Sequence, residues 1–179
     1  MMVTRWPDGT ELREGQIQNF KSAYGLYEIL YKAYSGPPPE GVTKGYWKNK
    51  VIQAFNAQVY FNLPKRVQVL YSKKISLNAL ESEDGATDEH YNPRRLWVKM
   101  RLFDISEKVS FSEFFRLYCT EGGRYHKTTS KENQDLENWY SENEIEEYQI
   151  GMWERAYASK GVILVDDPKY LEDGSENPA

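Results

Sequence analysis

The sequence predicts an α+β fold: one helix-rich domain with small β elements. Three observations lead there. Apolar residues recur at intervals of three and four over long stretches, the period of a helix with one buried face. Helix-start signatures recur at Asn92-Pro93, from Ser110 to Glu113, and from Thr129 to Glu132. The stretches that read as strands, 66–71, 124–128 and 162–165, are all short. A length of 179 residues suits one domain.

Residues 14–34 form the first predicted helix. Ile17, Phe20, Tyr24, Tyr27, Tyr31 and Tyr34 share one face, and such an aromatic stripe reads as core. Gly36 to Pro39 ends it. A second helix spans 47–62, with Val51, Ile52, Phe55 and Val59 inward and Pro64 as its stop. Residues 66–71 read as a strand, 75–80 as a second apolar segment, and 81–86 as a polar loop. Asn92 as N-cap and Pro93 at the first helical position open a helix to about Phe103. Ser110 and Glu113 form a capping box for a short helix that stops at Gly122-Gly123. A strand over 124–128 leads to a second capping box, Thr129 with Glu132, and a helix to Tyr140. The last helix covers 144–159, with Ile145, Tyr148, Met152 and Ala156 on one face, and Gly161 ends it. Residues 162–165 form a strand or packed tail, and 166–179 an acidic, frayed end. We expect a mainly helical part over 1–80, a second part over 81–165 and an acidic flexible tail over 166–179.

Composition narrows the function classes. Aromatic residues reach 15%, enough to build a substantial core. No apolar run is long enough for a membrane span, and Met1 to Leu12 lacks the basic flank and apolar stretch expected of a signal peptide. The one cysteine, Cys119, excludes an internal disulfide and a Cys-based zinc site. A cytoplasmic location is the simplest expectation. The net charge of −4 is uneven. Residues 1–101 hold 15 Lys and Arg against 10 Asp and Glu, or +5, whereas 102–179 hold 8 against 17, or −9. A basic front half suits an anionic polymer.

The chemistry concentrates around one of two histidines. His90 follows Asp88 and Glu89 and precedes the Asn92-Pro93 cap. Carboxylates and an amide oxygen are hard donors suited to Mg²⁺ or Mn²⁺, and a neutral imidazole beside them can take a proton from water. Asn133 stands 43 residues after His90, in the first turn of the helix capped by Thr129.

This order resembles the HNH nucleases, whose ββα-metal fold ends one strand with an acidic residue and a histidine and presents an asparagine from a strand and helix. The Asp/Glu-His-Asn subgroup of phage homing endonucleases is the nearest parallel, and the likeness covers 86–140. A late Tyr157-Ala158-Ser159-Lys160-Gly161 agrees with it. The resemblance implies a ββα-metal-like centre in which Glu89 or Asp88 joins Asn133 as metal ligand and His90 acts as general base. Glu137, one turn after Asn133, can reach the same face. It implies a metal-dependent DNA endonuclease of restriction or homing type, with Mg²⁺ or Mn²⁺ as cofactor. The expected partner is double-stranded DNA; no membrane partner is expected, and a homodimer stays open. Arg94, Arg95 and Lys99 would contact DNA nearest the cut, with Arg101 on the same helix. Lys48 and Lys50, beside Tyr46-Trp47, would contact it farther away.

Two rivals remain. One is a carboxylate–lysine nuclease centre using Asp84 or Asp88 with Lys99. The other is a non-catalytic DNA- or protein-binding module. His126 reads as a surface residue of its strand, with a site-facing orientation as the alternative, and Cys119 reads as packing.

Overall fold

The computed structural model describes residues 3–83, 85–90, 94–143 and 152–170. Helix α1 (Glu14–Ser35) buries the predicted stripe: Phe20, Tyr27 and Tyr34 are enclosed, and Ile17, Tyr24 and Tyr31 pack at the margin. The tyrosines reach a common target. Tyr24, Tyr27 and Tyr31 donate to the carbonyl oxygens of Val109, Leu102 and Ile105 at 2.8, 2.8 and 3.0 Å, and Tyr34 donates to the Asp104 carboxylate. Hydroxyls taken from water need such partners, so one helix face fastens the whole 102–109 segment.

Helix α2 (Lys44–Gln58) starts where the Thr43 side chain accepts from the Tyr46 amide, and it runs into a 3₁₀ turn at Tyr60–Asn62. The predicted strand over 66–71 is not formed. Residues Val67–Leu70 make one helical turn, α3, and strand β1 (Tyr71–Ser76) begins only after it. Val67 and Val69 are half-buried while Leu70 is fully buried, so the alternating valines mark no sheet face. The apolar segment 75–80 is divided between the end of β1 and helix α4 (Leu77–Glu81), which Ser76 caps.

Strand β2 (Thr87–His90) follows the polar loop. Helix α5 (Arg94–Val98) continues as a π turn over Lys99–Phe103, as far as predicted; its expected cap, Asn92-Pro93, lies outside the described residues. Helix α6 (Phe111–Leu117) takes its cap from Ser110, while the Glu113 carboxylate turns to Arg116 at 2.7 and 2.8 Å. It ends through a π turn, Tyr118–Gly122, packed on Trp97. Strand β3 (Tyr125–Thr128) and helix α7 (Ser130–Glu142) follow, with both halves of the Thr129–Glu132 capping box made. Helix α8 (Met152–Lys160) ends at Gly161, whose φ of +68° suits glycine. Its predicted start, with Ile145 and Tyr148, lies outside the described residues, as do 171–179 of the tail and Asp84. Strand β4 (Leu164–Asp166) closes the order.

The result is an α+β fold in which helices surround one mixed sheet of order β2-β3-β1-β4. Strand β3 is parallel to β1; the other two pairs are antiparallel. The main core gathers Phe20, Tyr27, Phe55, Trp97, Phe103, Phe114, Tyr71 and Tyr125, mixing residues from before and after position 80. A smaller cluster joins α7 and α8 through Leu136, Ala156, Tyr157 and Val162. No helix among the described residues is long and apolar enough to cross a membrane.

Candidate functional site

The site is set by the register of the edge strand. Glu89 pairs with His126, and His90 with Tyr125. Successive strand residues face opposite sides. Glu89 therefore shares a face with His126, whose ring lies 5.2 Å from those of Trp153 and Tyr157 on α8. His90 shares the other face with Tyr125, toward Tyr60 and the main core.

Glu89 is only 9% exposed. Burial, reinforced by the Glu137 carboxylate, pushes its carboxyl up to about 8, against the opposing pull of Arg94 and the His90 amide. Burial raises the Tyr140 hydroxyl as well, with Glu89 adding to it. Asn133, Glu137 and Tyr140 recur at four and three along α7 and so form one stripe. Two atoms of that stripe, Asn133 Oδ1 and the Tyr140 hydroxyl, are buried without a hydrogen-bond partner among the described residues. Unmatched buried polar atoms are costly as they stand; of the two opposed carboxylates, Glu89 is buried and Glu137 is exposed. A divalent cation would relieve the arrangement, since carboxylate and amide oxygens are donors of the right hardness. Among the described residues, no three His, Cys, Asp or Glu side chains converge to hold a metal. Glu89, Glu137 and the Asn133 amide are the groups here that could contribute to such a site. Asp88 is exposed and paired with Lys65 at 3.5 Å, so of the two expected acidic ligands only Glu89 belongs to this group.

His90 is held differently. Its Nδ1 lies 3.3 Å from the Tyr60 hydroxyl, which itself donates to the Gly122 carbonyl. The ring also donates to the Arg124 backbone carbonyl, so Tyr60 and Arg124 together orient it. Burial, then Arg94 and Lys65, lower its proton affinity to a pKa of about 3. The resemblance gathers carboxylate, imidazole and amide around one ion. Here the imidazole leaves β2 on the other face, and Arg94, which acts on both Glu89 and His90, connects the two groups.

The expected DNA contacts divide. Arg94 lies over the Phe61 ring at 4.4 Å, and Arg95 is exposed, donating to Asn49 at 3.2 Å. Lys50 lies over Tyr46 at 5.3 Å. Lys48 and Lys99 instead converge on Asp104, at 3.5 and 4.0 Å, and Lys48 also covers Tyr34. Their charge is largely answered within the fold. Arg101 is committed to Glu121 through two bonds of 2.8 and 2.9 Å.

His126 is a core residue, fully buried, rather than the surface residue expected. Cys119 is buried in the main core, where desolvation pushes its thiol up to about 12, consistent with packing. Nothing in the sequence marks Tyr60 or Lys65 as neighbours of His90: Tyr60 falls at the end of the predicted 47–62 helix and Lys65 in the loop after it. Comparison with family models, curated proteins and solved structures gave no match.

Proposed function

We propose that the chain is a divalent-metal-dependent endodeoxyribonuclease, as the HNH resemblance implies. The observation that supports this most is buried Glu89, opposed by Glu137 and by the α7 stripe of Asn133, with Arg94 beside it. Glu89, Glu137 and Asn133 would hold the cation, Mg²⁺ or Mn²⁺. When bound, it would supply positive charge against the phosphate and the leaving oxygen. Arg94 attracts the phosphodiester anion. That anion offsets Arg94 and Lys65, the cations that depress His90, and so returns the imidazole toward useful basicity. His90 then accepts the proton of the attacking water on its imidazole. Asp88 stays with Lys65.

A second reading, a nucleic-acid-binding module without hydrolysis, is favoured by one observation: His90 and Glu89 leave β2 on opposite faces. A carboxylate–lysine centre is disfavoured, since Lys99 is turned to Asp104. Plasmid DNA incubated with Mg²⁺, Mn²⁺ or chelator separates the two readings. Metal-dependent nicking, lost in both His90→Ala and Asn133→Ala, supports the nuclease. Gel retardation without cutting supports the binder.

A further inference from the structure

The stretch from residue 41 to 80 contains 7 Lys and Arg and no Asp or Glu. It includes α2 and the 3₁₀ turn that carries Tyr60, the residue holding His90. Asp104 and Asp88 reach this stretch from elsewhere, at Lys48 and Lys65, but it leaves two aromatic rings in water, Tyr46 at 58% exposure and Phe61 at 59%. Each has a cation over its ring, Lys50 at 5.3 Å and Arg94 at 4.4 Å. Between the two pairs Arg95 is bonded to Asn49, which places α5 alongside α2. Scattered exposed rings are ordinary. Two rings, each joined to a cation, on a face without a single carboxylate of its own and leading to the His90 end of β2, are not scattered.

We propose that Phe61, with Arg94 laid over its ring, is a stacking platform for an unpaired nucleobase of the strand held at the end of β2, with Tyr46 and Lys50 continuing the track along α2. The inference rests on nucleic acid as the ligand; it adds that the strand is single or locally unpaired there. A ring and a guanidinium present a flat, polarisable surface to any base, while Arg94 answers the phosphate charge. A paired base keeps its faces inside the duplex stack and cannot use such a platform. The track matches a short strand: α2, at about 1.5 Å per residue over its 15 residues, spans about 22 Å.

The test is fluorescence anisotropy of the full chain in chelator, so that nothing is cut. The probes are a labelled 12-nucleotide single strand and the same sequence as a duplex. Phe61→Ala and Phe61→Leu should weaken single-strand binding about 5- to 150-fold, the worth of one stacked base, while Phe61→Trp stays close to the parent. Duplex affinity should move less than about twofold, since backbone contacts dominate there. Equal losses on both probes, or full single-strand affinity in Phe61→Ala, overturn the platform. If the parent binds only the duplex, the platform falls and the nuclease reading stands. If it binds neither probe, both fall.

Discussion

Replacing Glu89 by glutamine should stabilise the metal-free protein at alkaline pH, although it removes a buried group. The folded carboxyl sits at about 8 against a model value of 4.5. A raised folded value means the native state holds a proton that the unfolded chain has released. Stability from this group is therefore complete below about 4.5 and is lost as pH rises through 8. The shift of 8 − 4.5 = 3.5 corresponds to at most about 4 to 5 kcal/mol. His90 and His126 act in the opposite sense. Both are lowered from 6.5 to about 3, so their contribution is present above 6.5 and lost as pH falls. Between 5 and 6.5 the unfolded chain gains two histidine protons against one held by native Glu89, so stability rises with pH. Above 6.5 only Glu89 remains, and stability falls by about 1.4 kcal/mol per pH unit up to 8. The parent should thus be most stable near 6.5. Glu89→Gln should flatten the alkaline limb and steepen the acid one, because the two histidine protons are then unopposed, with a melting temperature at pH 8 higher by about 10 °C. Thermal unfolding by circular dichroism from pH 5 to 9, in chelator, gives both curves. Parallel alkaline limbs in the two proteins would refute the placement of Glu89 in a buried, carboxylate-facing position.

Further outcomes follow from other parts of the structure. His90→Ala should lose about two to four orders of magnitude in plasmid cutting, the usual worth of a general base; near-normal cutting removes His90 from the mechanism. Replacing Arg94 and Arg95 by alanine should flatten the log-log salt dependence of duplex binding by about 0.9 per lost phosphate contact, and an unchanged slope means that α5 does not face the duplex. Gly122→Ala would bring a Cβ within 2.5 Å of the Trp97 ring. It should cost about 1 to 3 kcal/mol in denaturant unfolding, and an unshifted midpoint contradicts the packing described. Tyr27→Phe strands the Leu102 carbonyl, which should cost about 1 to 3 kcal/mol by the same measurement.

What could be read from the sequence follows from which forces are local. The α1 stripe, the Ser110 and Thr129 caps and the Gly161 stop depend on neighbours within a turn, and they occur where periodicity and capping place them. Strand β2 has no such signal, because Thr-Asp-Glu-His is poor in strand-forming side chains and is extended by pairing with β3. The misread of 66–71 has the same root: valines favour strands, but burial of Leu70 in the core decided for a helical turn. At the site, Glu89, His90, Asn133 and Glu137 stand out as residue types, whereas the face each one takes depends on strand register. The Tyr60 contact is long-range and leaves no trace in spacing, and although Arg94 lies only four residues after His90, its influence on both faces of β2 is not read from that spacing.

The central claim is that Glu89, Glu137 and Asn133 form a cation site. Calorimetric titration of the chelator-stripped protein with Mn²⁺ at pH 7.5 tests it most directly, with Glu89→Gln and Asn133→Ala alongside. The account predicts one saturable site in the parent, protons released on binding because Glu89 must ionise, and loss or strong weakening of that site in both variants. Absence of saturable binding in the parent, or equal binding in all three proteins, would contradict it.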